Sequence, residues 1–106
     1  MNHWLFLAGA IVMEVCGTVS MKLSNGFEHT LYSILVYIFY GISFYMLAMA
    51  LKTIDIGIAY AIWAAVGTAL IAAIGIVFFS EGINTIKAVS LVAIIAGVVG
   101  LNLSGA

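Results

Sequence analysis

Glu14 is the only ionisable residue between His3 and Lys22, and it stands inside the apolar run AGAIVMEVCGTVSMK. A carboxylate at membrane depth costs at least ~2.5 kcal/mol on insertion scales, so it requires a partner, water or a proton. The other charged residues, Lys22, Glu28, Lys52, Asp55, Glu81 and Lys87, fall in connections or at helix ends. No ion partner is expected within the hydrocarbon, and Glu14 must therefore take a proton or a cation from outside the chain. Loss of water disfavours the charged form of a carboxyl group, which suits it to binding and releasing protons. If protons and a cationic small molecule compete for this one carboxylate, a proton gradient drives the cation the opposite way. The plainer alternative is a permanently protonated Glu14 that only bonds a neighbouring helix.

The residues around it favour a binding role. At helical spacing from Glu14 come Leu7, Ala10, Ile11, Gly17, Thr18 and Met21, a face whose small members leave room beside the carboxyl. The second apolar stretch carries Tyr37, Tyr40 and Phe44 along one stripe with Ser43 beside it, and the third carries Tyr60 and Trp63. Aromatic faces attract cations and accept quaternary ammonium groups that have no hydrogen bond to donate. Such stripes also serve plain packing, so the lone carboxylate is what gives them meaning. Cys16 is read as a small buried residue, since one cysteine cannot form an intrachain disulfide. No spacing of His, Cys, Asp or Glu suggests a metal, and no cofactor or enzymatic chemistry is expected.

The elements that must hold these residues follow from composition. Of 106 residues, 66% are hydrophobic and 7% charged, too few polar side chains to cover the surface of a soluble globule. Four apolar stretches, about 4–21, 30–51, 56–79 and 85–103, each approach the ~20 residues that cross ~30 Å of hydrocarbon. The expected fold class is an all-α membrane protein, a single domain of four transmembrane helices with lipid as its solvent. The connections are short, with Asn25-Gly26 and Glu81-Gly82 supplying turn chemistry. The first stretch has no Lys or Arg before it and is interrupted by Glu14, so it is read as a helix rather than a signal peptide. There is no Pro and no Arg, so helix breaks fall to Gly, and nucleic acid is not an expected partner.

Orientation is weakly specified. Four spans place Lys52 on one side and Lys22 and Lys87 on the other, a bias of a single lysine. The chain is expected to insert both ways up; the alternative is one orientation fixed by that lysine or by a partner. Depth agrees with an inverted pair. Glu14 lies seven residues from Met21 and Trp63 seven from Ile56, each about 10 Å below opposite surfaces. In a partner inserted upside down, Trp63 falls level with Glu14. The fourth stretch has no aromatic residue, and Ser90, Ala93, Gly97, Gly100 and Ser104 form one small-residue stripe. That stripe is read as a dimer seam, with packing inside the chain as the alternative.

Taken together, Glu14 followed by Gly17-Thr18, then Met21-Lys22-Leu23-Ser24-Asn25-Gly26-Phe27, with Gly57-Ile58-Ala59-Tyr60-Ala61-Ile62-Trp63 opening the third helix, resembles the small multidrug resistance family of bacterial exporters. The resemblance runs essentially end to end. It implies a multi-pass protein of the bacterial inner membrane that works as an antiparallel, dual-topology homodimer. Protons and cations would be exchanged at one site shared by the two Glu14 side chains. It further implies that Tyr60 and Trp63 contact substrate, that Tyr40, Ser43, Phe44 and Thr18 line the pocket, and that Gly97 lies in the seam. Guanidinium exporters of the family typically place a Trp soon after the Glu. Here Cys16-Gly17-Thr18 stands there, which resembles the multidrug branch with its quaternary ammonium and aromatic cations. The family often has Gly-x-Gly after the third-helix Trp; here the stretch is Ala65-Val66-Gly67, leaving Gly67 as the hinge. Trp4 stands where that branch often has Tyr.

Rival readings are a guanidinium or small osmolyte exporter (choline- or betaine-like) on the same fold and a proteolipid-type ring subunit, which also buries a lone carboxylate. A non-transporting assembly factor is the third.

Overall fold

The structure is a computed structural model and describes residues 2–104. It contains four α-helices and, among the described residues, no strand: α1 His3–Leu23, α2 Thr30–Ala50, α3 Ile56–Phe78 and α4 Thr85–Leu103. Their lengths of 21, 21, 23 and 19 residues correspond to about 30 Å each at ~1.5 Å per residue, one hydrocarbon thickness. All four are long and apolar enough to cross a membrane. In lipid a helix is the economical form for such segments, because it satisfies every backbone N–H and C=O internally.

Local sequence sets the ends. Asn2 caps α1 by accepting the Trp4 N–H at 2.8 Å, and Asn84 caps α4 by accepting the Lys87 N–H at 2.8 Å. α1 runs two residues past the apolar stretch, through Lys22 and Leu23, because Ser24 still donates its N–H to the Ser20 carbonyl at 2.8 Å. α3 closes on Ser80, whose φ of 55° is left-handed, with the Glu81 N–H returning to the Gly75 carbonyl at 3.0 Å.

The chain divides between Ile54 and Asp55 into two compact units, one pairing α1 with α2 and the other α3 with α4. In the first, the α1–α2 connection is tight and unusual. Asn25, Gly26 and Phe27 have φ of 51°, 68° and 67°, three successive left-handed residues. Asn tolerates this region and Gly is indifferent to it, but a bulky Phe does not adopt it freely. The Ser24 hydroxyl, fully buried, accepts the Phe27 N–H at 3.1 Å and donates to the Met21 carbonyl at 2.7 Å. The Phe27 ring stacks on Tyr37, centroids 6.2 Å apart. Asn25 adds a bond from its amide to the Glu28 carboxylate at 2.9 Å. These contacts hold Phe27 in a conformation it would otherwise leave.

The helices differ in how much they bury. α1 buries six residues, Leu7, Ala10, Ile11, Val15, Gly17 and Ser20, whereas α4 buries none. Large apolar side chains such as Leu31, Val77, Phe78 and Ile86 lie exposed. In a membrane such faces meet lipid without penalty.

Gly26 isolates the backbone cost of the turn, because a Cβ there would meet nothing within 4 Å. Gly26→Ala is therefore expected to destabilise the protein by roughly 1 kcal/mol through its left-handed φ alone, read from denaturation in detergent micelles. An unchanged midpoint would mean that the turn relaxes.

Candidate functional site

Ala10, Glu14 and Thr18 are spaced four residues apart on α1, so they share one face with Glu14 in the middle. α2 grips the two flanking positions. The Ser43 hydroxyl donates to the Ala10 carbonyl at 2.6 Å, and the Tyr40 hydroxyl lies 2.7 Å from Thr18 Oγ1. Tyr40 and Ser43, three residues apart, are neighbours on one face of α2. Higher numbers on α1 pair with lower numbers on α2, the register of an antiparallel hairpin. Glu14 is thus bracketed, one turn on either side, by two polar links between the same two helices.

Packing fixes the register as firmly as the hydrogen bonds do. A methyl on Gly17 would stand 2.6 Å from the Tyr40 ring, so the glycine is what lets that ring lie against α1. Gly9 likewise faces the end of Met46. Leu7, Ala10 and Ile11 are buried at 2%, 0% and 6% exposure, and Ser43 at 1%. The room that small residues were expected to leave beside the carboxyl is therefore partly filled from α2: the Tyr40 ring takes the space at Gly17. Ser43 spends its one hydrogen inside the helix pair, on the carbonyl that the helical ladder also offers to the Glu14 amide.

Glu14 itself is part-buried, and its Oε2 is shielded from solvent with no hydrogen-bond partner among the described residues. A buried polar atom without a partner is costly, and carboxylate oxygens are strong acceptors. This oxygen calls for a proton on itself or a donor or cation from outside the chain. Thr18, one turn on, donates to the Glu14 backbone carbonyl at 3.0 Å and so is tied to the same turn. The Tyr40 and Phe44 rings lie 6.2 Å apart, tilted at 45°. Tyr37, placed by sequence on the same aromatic stripe, is instead 72% exposed and engaged with Phe27.

The α3–α4 unit presents its own candidates. Tyr60, 58% exposed, and Trp63 form an aromatic pair with centroids 5.5 Å apart and planes at 59°. Gly67 is buried in α3. On α4, Ala93, Gly97 and Gly100 are all exposed, and a Cβ at either glycine would meet nothing within 4 Å. Among the described residues, no group of three or more His, Cys, Asp or Glu is arranged to hold a metal ion.

Sequence reasoning missed the work of Ser43 and Met46 between the helices and the Thr18–Tyr40 bond. Each joins residues more than twenty positions apart, and nothing in either local pattern names the other. The Ser43 link is testable on its own: Ser43→Ala is expected to cost about 1 kcal/mol of stability by orphaning that contact, and Ser43→Thr to keep most of it. Equal detergent-denaturation midpoints for all three proteins would show the bond to be dispensable.

Comparison with known proteins gives a consistent picture. Residues 2–94 match the family described as Small Multidrug Resistance protein. The chain is 50% identical to a Bacillus subtilis (strain 168) protein named uncharacterized membrane protein YvaE, over 95% of this chain and 85% of that one. It is 43% identical to the quaternary ammonium compound-resistance protein QacE and 42% identical to the multidrug transporter EmrE, both of Escherichia coli, the latter of strain K12. Each of these two matches covers 97% of this chain and 94% of the relative.

Proposed function

The chain belongs to the small multidrug resistance family, whose members are membrane transporters and not enzymes, and from that membership we propose that it is a proton-coupled antiporter exporting hydrophobic and quaternary ammonium cations. It is a multi-pass protein of the cell's inner membrane, with four spanning helices. Membership also displaces the ring-subunit and assembly-factor readings. The observation that carries the proposal is the buried Glu14 Oε2, which has no hydrogen-bond partner among the described residues, within an apolar stretch of helix. An acceptor in that state is satisfied by a proton or by a cation, and one carboxyl oxygen does not hold both.

In this reading protons and substrate compete for Glu14. Tyr40, Phe44, Tyr60 and Trp63 supply aromatic faces for the cation, Thr18 and Gly17 belong to the wall, and Leu7, Ala10, Ile11 and Ser43 support it from within the helix pair. The working unit is an antiparallel homodimer, in which two Glu14 side chains share one site and titrate as a pair. The exposed small-residue stripe of Ala93, Gly97 and Gly100 supports α4 as the seam, since no described residue fills the space at either glycine. Gly67 serves as the hinge by which the site faces one side at a time. Two protons entering for one monovalent cation leaving would move one net charge, worth ~2.3 kcal/mol per 100 mV.

Tetraphenylphosphonium binding to the purified protein should strengthen from pH 5 to pH 9 as protons leave the site, and the dependence should vanish with Glu14→Gln. Binding indifferent to pH and to that substitution would make Glu14 a structural carboxyl. Guanidinium competing as well as the aromatic cation would favour the guanidinium branch. Gly97→Leu is expected to abolish both dimers in mild detergent and transport in vesicles; wild-type transport by that variant would remove α4 from the interface.

A further inference from the structure

Hydroxyls that bond back to their own helix recur along the chain, and one of them differs from the rest. Thr18 donates to the Glu14 carbonyl at 3.0 Å, but the Tyr40 hydroxyl of α2 also lies 2.7 Å from it. Ser20 donates to the Cys16 carbonyl at 2.9 Å and is buried. Ser33 makes its bond to His29 in the first turn of α2, and Ser24 and Ser104 make theirs where α1 and α4 end. Thr68 donates to the Ala64 carbonyl at 2.7 Å in the middle of α3, at an exposed position, and this is its one side-chain bond among the described residues. It is the one mid-helix bond of this kind that is neither buried nor shared with a second helix.

A hydroxyl so placed loosens its helix. The Ala64 carbonyl is also where the helical ladder places the Thr68 N–H, so two donors share one acceptor, which weakens the ladder bond and favours a bend. Opening a ladder bond in lipid orphans a carbonyl that no water reaches, but a threonine hydroxyl already on that carbonyl keeps it satisfied. Gly67, buried beside Thr68 in the chain, is the one glycine of α3 between Gly57 and Gly75 and supplies the backbone freedom. We propose that Thr68 is a positioning residue and the second half of the α3 hinge: its hydroxyl holds the Ala64 carbonyl while the ladder opens, and so sets how fast the site changes the side it faces. The bend falls just beyond Trp63, where it re-aims the first part of α3, which carries Tyr60 and Trp63, against the rest. The proposal rests on the antiporter reading with Gly67 as hinge, and it names the group that governs the rate of switching.

The test uses the purified full chain in lipid bicelles with tetraphenylphosphonium bound. In an antiparallel pair whose site faces one side at a time the two subunits are inequivalent, so each residue gives two amide resonances, and NMR exchange spectroscopy reads the rate at which they swap. Thr68→Val, which keeps the β-branched shape and removes the hydroxyl, should slow the swap about fivefold, the scale of one net hydrogen bond, and slow transport turnover in vesicles in step. Its tetraphenylphosphonium affinity should be unchanged, which also reports that the variant is folded. Thr68→Ala should slow the swap as Thr68→Val does, and Thr68→Ser should restore it. Ser33→Ala, which removes a similar bond at a helix start, should leave the rate alone. A swap rate unchanged in Thr68→Val and Thr68→Ala, no recovery in Thr68→Ser, or equal slowing by Ser33→Ala overturns the inference while leaving the antiporter reading intact. Loss of tetraphenylphosphonium affinity in both hydroxyl-free variants overturns it too, by making Thr68 part of the binding wall. Wild-type protein that binds tetraphenylphosphonium at no pH would instead overturn the antiporter reading, and this inference with it.

Discussion

One carboxyl oxygen, Glu14 Oε2, is shielded from water and has no hydrogen-bond partner among the described residues, and the proposed function depends on it. Glu14 lies in mid-helix, with Lys22, the other charged residue of α1, about two turns away at the helix end, and lipid offers no countercharge of its own. A soluble protein would neutralise such a group by paying with a salt bridge or ordered water. Here the neighbouring helix bonds the positions one turn to either side of Glu14 and gives Oε2 no partner among the described residues. Ser43 takes the Ala10 carbonyl, Tyr40 takes Thr18, and Thr18 takes the Glu14 backbone. These three bonds engage the hydroxyls of Ser43, Tyr40 and Thr18, and none of them reaches Oε2.

That arrangement explains a division of labour between the two helix pairs. The α1–α2 pair is cross-linked by buried hydroxyls and by glycines that admit Met46 and Tyr40. Its connection is locked by the Ser24 hydroxyl and the Phe27–Tyr37 stack. The proposed exchange of proton for cation would benefit from such a frame, because rigid positioning lets each ligand be recognised without reorganising the helix that carries the carboxyl. The α3–α4 unit lacks comparable cross-links among its described bonds: Thr68 bonds back to Ala64 on its own helix, and the Lys87 ammonium reaches only the Gly82 carbonyl. α4 buries nothing. Helices bound to each other mainly through apolar surface are freer to slide in a bilayer, where lipid is as good a neighbour as leucine.

The two polar links also clarify why residues that look alike in sequence differ in role. Tyr37 and Tyr40 belong to one aromatic stripe, yet one leans on Phe27 at the loop and the other on Gly17 and Thr18 beside Glu14. Ser43 and Thr18 both look like pocket hydroxyls. Ser43 is sealed between the helices with its hydrogen committed, while Thr18, only part-buried, links the backbone of Glu14 to the Tyr40 hydroxyl.

Much of this was written in the sequence because a bilayer is an unforgiving solvent. Four apolar runs of membrane length point to helices, their polar interruptions to short turns, and a single carboxylate among them stands out as the candidate site. The family, too, was legible, carried by Glu14 with its Gly17-Thr18, the turn from Met21 to Phe27, and the stretch opening α3. Which residues meet across α1 and α2 was not legible. Helical periodicity tells which side chains share a face, but not which turn of the next helix each will oppose. That register is decided by close packing at Gly9 and Gly17 and by where a buried hydroxyl can find an acceptor, and both conditions exist only once the two helices are side by side.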